Sequence, residues 1–520
     1  MTWVGLNISV PFFRGNLGFI QRAEKNFGPA MGFSWSPGSD KKTVIRAGSG
    51  IYYAQEASQW KKTYERPLLG PAGSGQITFR TTNLPNPFFG QPGQVATLNF
   101  TSPTPFTGQN MLDLLPSIQS QLLAKWGSSQ EAAKKDLSGP RGIDVVKQAN
   151  LVFAGDRYPT PYTIHVTAGV QREIVRNLVV SADYVMRRGL KSGVSNQSHT
   201  WDANHFNKPR VTAINPTTGV VSFVRDPLIP LCVGNQADIV PFPCSTGPII
   251  EYIPAYNSRY QALLIKVDRR FSGRLQFTGS YAFSRFTSSQ ASTTSPTDPS
   301  GGFFQDCRNC GYGFNDADRP HRFTFNILYE IPDLKGGNRW IRQVLNRWTV
   351  SSITEMVSAP PMNVIIANVD LYGDGISTAL VPGLKVREFG RGVDANQIRK
   401  LVANYNATYP TLPNPDGTFP TYRKRTAENQ IIPVITLPGV FSNGDKFAST
   451  DLRVTKAVPI REGISLNLAV ESFNMFNIAN LTNYNAILNQ PAFGQPTDRV
   501  NQVFGSGGPR AFQISARLRF

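Results

Sequence analysis

Arg510-Ala511-Phe512-Gln513-Ile514-Ser515-Ala516-Arg517-Leu518-Arg519-Phe520 decides how this chain is read. Phe512, Ile514, Ala516, Leu518 and Phe520 fall on one parity, and Gln513, Ser515, Arg517 and Arg519 on the other. In an extended chain successive side chains point to opposite faces, so the segment has one apolar and one polar face as a strand, whereas a helix would mix them. Its length suits a tilted strand crossing a bilayer, which takes roughly 9–11 residues. The expectation is an all-β transmembrane antiparallel β-barrel wall.

The same period of two recurs upstream. Val4, Leu6, Ile8 and Val10 open the chain in a strand, followed by Met31, Phe33 and Trp35, a turn at Pro37-Gly38-Ser39-Asp40, and a return through Ile45, Ala47, Ile51 and Tyr53. A second hairpin pairs Ile164, Val166, Ala168 and Val170 with Leu178, Val180, Ala182, Tyr184 and Met186. Leu263, Ile265 and Val267 turn at Phe271-Ser272-Gly273 into Leu275, Phe277, Gly279, Tyr281 and Phe283. Phe323, Phe325, Ile327 and Tyr329 lead through a turn at 332–346 to a weaker strand around Trp348, Val350 and Ile353. Leu452 and Val454 precede Ile464, Leu466, Leu468 and Val470, and a last loop delivers the terminal strand. The count is about twelve strands. Short turns alternate with long polar stretches at 54–160, 188–258, 286–320, 358–448 and 475–509. That alternation suits a barrel with tight periplasmic turns and long extracellular loops. Within 54–160, Leu112, Leu115, Ile118, Leu122 and Trp126 mark an amphipathic helix over 111–126, read as packing inside the loop.

Composition agrees. Among 520 residues only 17% are charged and 11% are aromatic, with 45 Gly and 39 Pro, which fits a turn-rich β protein better than a disordered chain. No run approaches the roughly 18 apolar residues of a membrane helix. The net charge of +19 is scattered singly through strands and turns, without a basic block interleaved with aromatics, so nucleic acid is not the expected partner and outer-membrane lipid is. Met1-Thr2-Trp3-Val4-Gly5-Leu6-Asn7-Ile8 shows no signal-peptide pattern, so the expectation is that 1–520 is the C-terminal portion of a longer exported protein, without its signal peptide.

Particular residues also resemble a known family. Asn26-Phe27-Gly28-Pro29-Ala30-Met31-Gly32-Phe33-Ser34-Trp35-Ser36-Pro37 with Lys42-Thr43-Val44-Ile45-Arg46-Ala47-Gly48-Ser49-Gly50-Ile51-Tyr52-Tyr53 is similar to a signature of Oar-like TonB-dependent transporters. Asp316-Ala317-Asp318-Arg319-Pro320-His321, Asp451-Leu452-Arg453-Val454-Thr455-Lys456 and Glu471-Ser472-Phe473-Asn474-Met475-Phe476-Asn477 follow in the family's order. Ala30 departs from the pattern, which has an arginine there. The resemblance implies a barrel of about twenty-two strands, of which this chain would supply the C-terminal part. It also implies a plug domain, absent here, that engages the TonB complex. The implied activity is uptake of a scarce ligand across the outer membrane of a Gram-negative-type bacterium. Phe512, Ile514, Ala516, Leu518 and Phe520 would be the C-terminal signal read by the barrel-assembly machinery. The alternative is an outer-membrane barrel with an adhesion or surface-assembly role and no transport.

No constellation for catalysis stands out, and no cofactor is expected. Cys232, Cys244, Cys307 and Cys310 form two local pairs, read in an exported chain as disulfides and not as half a zinc site. His199, Asp202 and His205 have no ordinary ligand spacing and are read as loop residues, with metal binding the weaker alternative. Asp370-Leu371-Tyr372-Gly373-Asp374-Gly375 resembles a degraded calcium loop, lacking oxygen ligands at Tyr372 and Val381.

Overall fold

The computed structural model describes residues 7–9, 26–53, 76–80, 84–85, 97–98, 144–146, 151–153, 159–194, 202, 205–228, 230, 250–289, 311–410, 424–500 and 507–520. Eleven strands form one continuous antiparallel path: β1 (Ala30–Trp35), β2 (Thr43–Tyr53), β3 (Tyr162–Val175), β4 (Leu178–Val194), β5 (Ile250–Ser272), β6 (Leu275–Ser288), β7 (His321–Glu330), β8 (Trp348–Val357), β9 (Phe447–Arg461), β10 (Ile464–Phe473) and β11 (Ala511–Arg519). Each pairs with its neighbours in sequence, the up-and-down order of a barrel wall.

Register shows why the parity matters. Trp35 lies opposite Ile45, Ile45 opposite Val170, and the row continues through Ala182, Ile265, Tyr281, Phe323, Met356 and Ala448. A second row runs Tyr329, Val350, Val454, Val470 and Ile514. Every apolar residue that the alternation placed on one face from Met31 onward keeps that face, except Ile353, which pairs with Asp451 on the other. Because a one-residue slip would turn every side chain over, the shared register across eleven strands fixes one lipid-facing surface. Phe512 at 65% exposure, Ile514 at 81% and Leu518 at 53% point out of the wall and not into a packed interior.

The opposite face is polar and carries four ion pairs. Arg46 meets Asp183 at 3.0 Å, Arg322 meets Glu355 at 2.8 Å, Arg453 meets Glu471 at 3.2 Å, and Lys266 meets Asp268 at 3.5 Å. The first of these pairs spans three strands. Arg46 on β2 and Asp183 on β4 reach each other over β3 at Gly169, where an added Cβ would lie 1.9 Å from the Asp183 carboxylate.

The connections alternate as expected, short through 36–42, 176–177, 273–274, 331–347 and 462–463, long elsewhere. Gly273 and Arg274 both have positive φ, +60° and 70°, as a tight two-residue hairpin with strand-matched twist requires. Three expectations need correction. Asn7–Ser9 is extended but pairs with Gln76–Arg80, in a small sheet with Asp144–Val146, so the first expected strand is not part of the wall. The turn at 332–346 contains a helix, α1 (Arg339–Leu345). The loop at 358–448 contains a folded unit described below. The helix expected over 111–126 lies outside the described residues, as do all four cysteines and His199.

Replacing Gly169 by Val should destabilise the refolded protein by about 1–3 kcal/mol, the usual cost of overpacking. Asp183→Asn, which removes only a partly exposed ion pair, should cost about 0.2–1 kcal/mol. Denaturant titrations in detergent check the order; equal costs would show that the close approach at Gly169 is not a constraint.

Candidate functional site: the loop lobe and the cavity at its base

The buried hydrophobic core lies mainly outside the wall, where the β8–β9 and β10–β11 connections meet. Its centre is a helix, α2 (Ala395–Thr408), started by a reciprocal cap: the Asp394 carboxylate accepts from the Gln397 amide at 2.8 Å, and Gln397 Oε1 accepts from the Asp394 amide at 2.7 Å. Ile398, Val402 and Tyr405, spaced four and three residues apart, form its buried stripe. They pack with Val364, Ile366 and Val381 and with the ring cluster of Phe389, Phe441 and Phe493. Phe493 and Leu488 come from the second connection, stitched to the first by backbone bonds from Ile365 to Ala486 and from Leu488 to Ile365. Tyr405 donates to the Pro433 carbonyl at 3.0 Å, and burial drives its phenol pKa strongly upward.

A buried ion pair fastens this lobe to the wall. Arg391 Nε donates to Asp318 Oδ2 at 2.6 Å, and its Nη2 donates to the carbonyls of Asp318 and Ala359. Asp318 Oδ1 accepts from the Phe286 amide near the end of β6, so one carboxylate joins a wall strand to the lobe. Arg319, beside it, donates to the carbonyls of Asp316 and Asp318, and burial and the nearby Arg391 lower its pKa. The Asp316–His321 motif thus works as a clamp. The two later motifs work similarly. Asp451 accepts from the Asn474 amide, and the buried Asn474 side chain donates to the carbonyls of Ile478 and Gly508. Asn474, Asn477, Asn480 and Asn483 all have φ between 45° and 54°, a left-handed backbone that asparagine tolerates better than most residues. An asparagine at every third position was the sequence signal for this turn, and the periodicity reading overlooked it.

Below the lobe is a cavity of about 420 Å³, bordered among others by Arg319, Met362, Asn443, Asp445, Asn483 and Tyr484. Val357 and Phe447, opposite each other at the loop ends of β8 and β9, also line it, on the same parity as Glu355 and Ser449. The cavity therefore lies where the polar face of the wall meets the loops. Burial and a hydrogen bond to Asp445 push the Tyr484 hydroxyl up to about 12.

The other expected site residues do not converge here. Asp370 is fully buried, and its carboxylate oxygens accept the backbone amides of Gly373, Asp374 and Gly375 at 2.8, 3.1 and 2.9 Å. Those amides close a self-capped turn on the carboxylate, and burial raises the pKa of Asp370. Asp202 Oδ2 accepts from the Phe206 amide at 2.7 Å, again closing a turn. Among the described residues no group of three or more His, Cys, Asp or Glu is arranged to hold a metal. Phe512, Ile514, Ala516 and Leu518 share the outer face of β11, with Phe520 just beyond its end.

An antiparallel up-and-down wall with a lipid-facing apolar row defines a membrane β-barrel. The family described as outer membrane beta barrel domain matches residues 9–513, and the chain belongs to it. The protein is accordingly placed in the outer membrane of a Gram-negative bacterium. No curated protein matches the sequence. Among solved structures, it is similar to the outer membrane transporter YddB of Escherichia coli, at 9% identity and TM-score 0.39, covering 95% of this chain and 40% of that one. It is also similar to the siderophore receptor PirA of Acinetobacter baumannii, at 9% identity and TM-score 0.37, covering 95% and 41%. The chain therefore spans about 40% of the length of these proteins.

Two outcomes test the site. Arg391→Ala leaves the buried Asp318 carboxylate unpaired and should cost about 3–5 kcal/mol, with new protease cleavage in 359–410 or 424–446; unchanged protection there would remove the clamp from the account. Because the folded protein holds Tyr484 protonated, any stability it supplies is complete below pH 10 and is lost as pH rises through about 12. The phenolate absorbance of the native protein minus that of Tyr484→Phe should show a midpoint near 12, and a midpoint near 10 would contradict the hydrogen bond to Asp445.

Proposed function

We propose that this protein takes part in uptake across the outer membrane, as the C-terminal portion of an Oar-like, TonB-dependent transporter barrel. The observation that carries the reading is the cavity at the junction of the polar wall face and the folded lobe, where a ligand caught outside would enter the lumen. Its volume lies within the usual range of small-molecule sites. Its chemistry favours a neutral, hydroxyl-rich ligand. The guanidinium of Arg319 and the carboxylate of Asp445 balance in charge, Tyr484 is hydrogen-bonded to Asp445, and Asn443 and Asn483 offer amide groups beside the apolar Met362. Energy would come from the TonB complex through a plug domain outside residues 1–520, and that portion would also supply the strands that close the wall. Phe512, Ile514, Ala516, Leu518 and Phe520 would be read by the barrel-assembly machinery. The protein would have no catalytic role.

A second reading, adhesion or surface assembly without transport, is favoured by one observation: the lobe has a core of its own and could present a rigid surface to a partner. Uptake of labelled neutral disaccharides and of ferric siderophores, measured in a deletion strain carrying the wild-type or Asp445→Ala gene, separates the two. Transport predicts a loss of about tenfold or more for one ligand class in the variant, the scale of a tightly bound polar contact, at equal surface abundance. Unchanged uptake of every ligand in the deletion strain, with lost surface adhesion, would favour the second reading.

A further inference from the structure

The turn between β7 and β8 carries a helix that no described element covers. α1 starts at Asn338, whose side chain accepts from the Ile341 amide at 2.9 Å, and none of its residues is buried. Its large apolar side chains fall on one arc: Trp340 is 75% exposed, Val344 62%, Leu345 50% and Ile341 46%. At 100° per residue they span less than half the circumference, and Arg339, Arg342 and Gln343 occupy the remainder. Left in water this arc is an unfavourable apolar patch, since burying such surface is worth about 25 cal/mol per Å².

The helix is held in place at its C-terminal end. Trp348 Nε1, at the start of β8, donates to the Val344 carbonyl at 2.8 Å. Asn346 exchanges hydrogen bonds with the backbone of Leu334, and the Arg347 amide donates to Asp333. Trp348 shares the parity of Val350 and Met356, so its bond seats the helix beside the lower rim of the apolar wall row, where Tyr329, Ile331 and Leu334 are also exposed. Lys335, Arg339, Arg342 and Arg347 surround it with positive charge.

We propose that α1 is an interfacial anchor that lies in the phospholipid headgroup layer at the short-turn rim, with Trp340, Ile341, Val344 and Leu345 in the acyl region and the arginines on the phosphates. Three observations choose a lipid surface over a second copy of the chain. The patch adjoins the lipid-facing row, its rim is net basic, with Lys335, Arg339, Arg342 and Arg347 against Glu330 and Asp333, and so complements anionic headgroups, and a two-turn helix offers far less than the roughly 800 Å² per partner of a stable protein interface. Indole rings favour this depth of a bilayer.

The test uses the full chain refolded into phosphatidylethanolamine–phosphatidylglycerol vesicles with acyl chains brominated either near the headgroup or near the terminus. Trp340 emission is obtained by subtracting the Trp340→Phe spectrum from wild type. It should fall at least about twofold with headgroup-proximal bromine and less with deep bromine, as an interfacial indole would. If Trp340→Phe fails to refold, Val344→Trp should add emission with the same depth profile. Replacing phosphatidylglycerol by a zwitterionic lipid should slow insertion severalfold, an effect that Arg339→Gln with Arg342→Gln abolishes. Emission insensitive to either brominated lipid but quenched by aqueous iodide would overturn the proposal. Protection from both, with crosslinked dimers, would assign the face to a second copy instead.

Discussion

A peptide group surrounded by hydrocarbon has no water to bond with, so each strand in the bilayer must satisfy its amides on the strands beside it. Most of this molecule's organisation follows from that requirement. It forces the eleven strands into one continuous ladder, and the ladder transmits side-chain parity from Trp35 to Ile514 through successive registers. Once one strand has chosen which face meets lipid, the others have no freedom left. A strand slipped by one residue would bring Arg46, Arg322 or Arg453 to the hydrocarbon and lose its ion pair on the polar face. The same requirement makes β1 and β11 incomplete, because among the described residues each has one wall neighbour. An edge of that kind is tolerated in a membrane only when it is paired.

The long connections face the opposite problem. They are in water, where a chain of such length has much conformational entropy to lose. Neither the β8–β9 nor the β10–β11 connection closes the core alone; Leu488 and Phe493 from one complete the pocket formed by Ile366, Phe389 and Phe441 from the other. Sharing a core between two connections ties the lobe to both neighbouring hairpins. The Arg391–Asp318 pair ties it to a third. A buried pair of this kind adds little net stability but penalises every arrangement in which either charge lacks its partner. Its contribution here is to the position of the lobe, and so to the shape of the cavity beneath it.

These two regimes explain which parts were legible in the sequence. A wall strand is specified by a period of two, visible in a handful of neighbouring residues, so its face could be assigned from Phe512 or Phe277 alone. Ile353 shows the limit: an apolar residue on the polar side of a strand breaks the pattern without breaking the strand. The lobe is specified by contacts between residues far apart, and Asp318 and Arg391 are separated by 73 positions. No local pattern joins them, so the Asp316–His321 motif could be noticed but not understood. The cap at Asp394 and Gln397 ahead of Ile398, Val402 and Tyr405 was a local signal for α2, as Asn338 ahead of Trp340 was for α1. Both were obscured by reading 332–346 as a turn and 358–448 as a loop.

The charge of the chain takes on a different meaning in this light. A net +19 invites the expectation of an anionic ligand. Yet four cations on the polar face, Arg46, Lys266, Arg322 and Arg453, each stand within 3.5 Å of a carboxylate. Paired in this way they set strand register and contribute little field along the lumen, since a neutral pair is seen from a distance as a dipole and solvent screens it further. Near the cavity Arg391 is likewise paired, with Asp318, while Arg319 keeps its charge and donates one nitrogen to two backbone carbonyls. What meets a ligand there is a set of amides, the hydrogen-bonded Tyr484–Asp445 pair and the guanidinium of Arg319, so local hydrogen-bonding geometry weighs more than the overall charge in what the cavity can recognise.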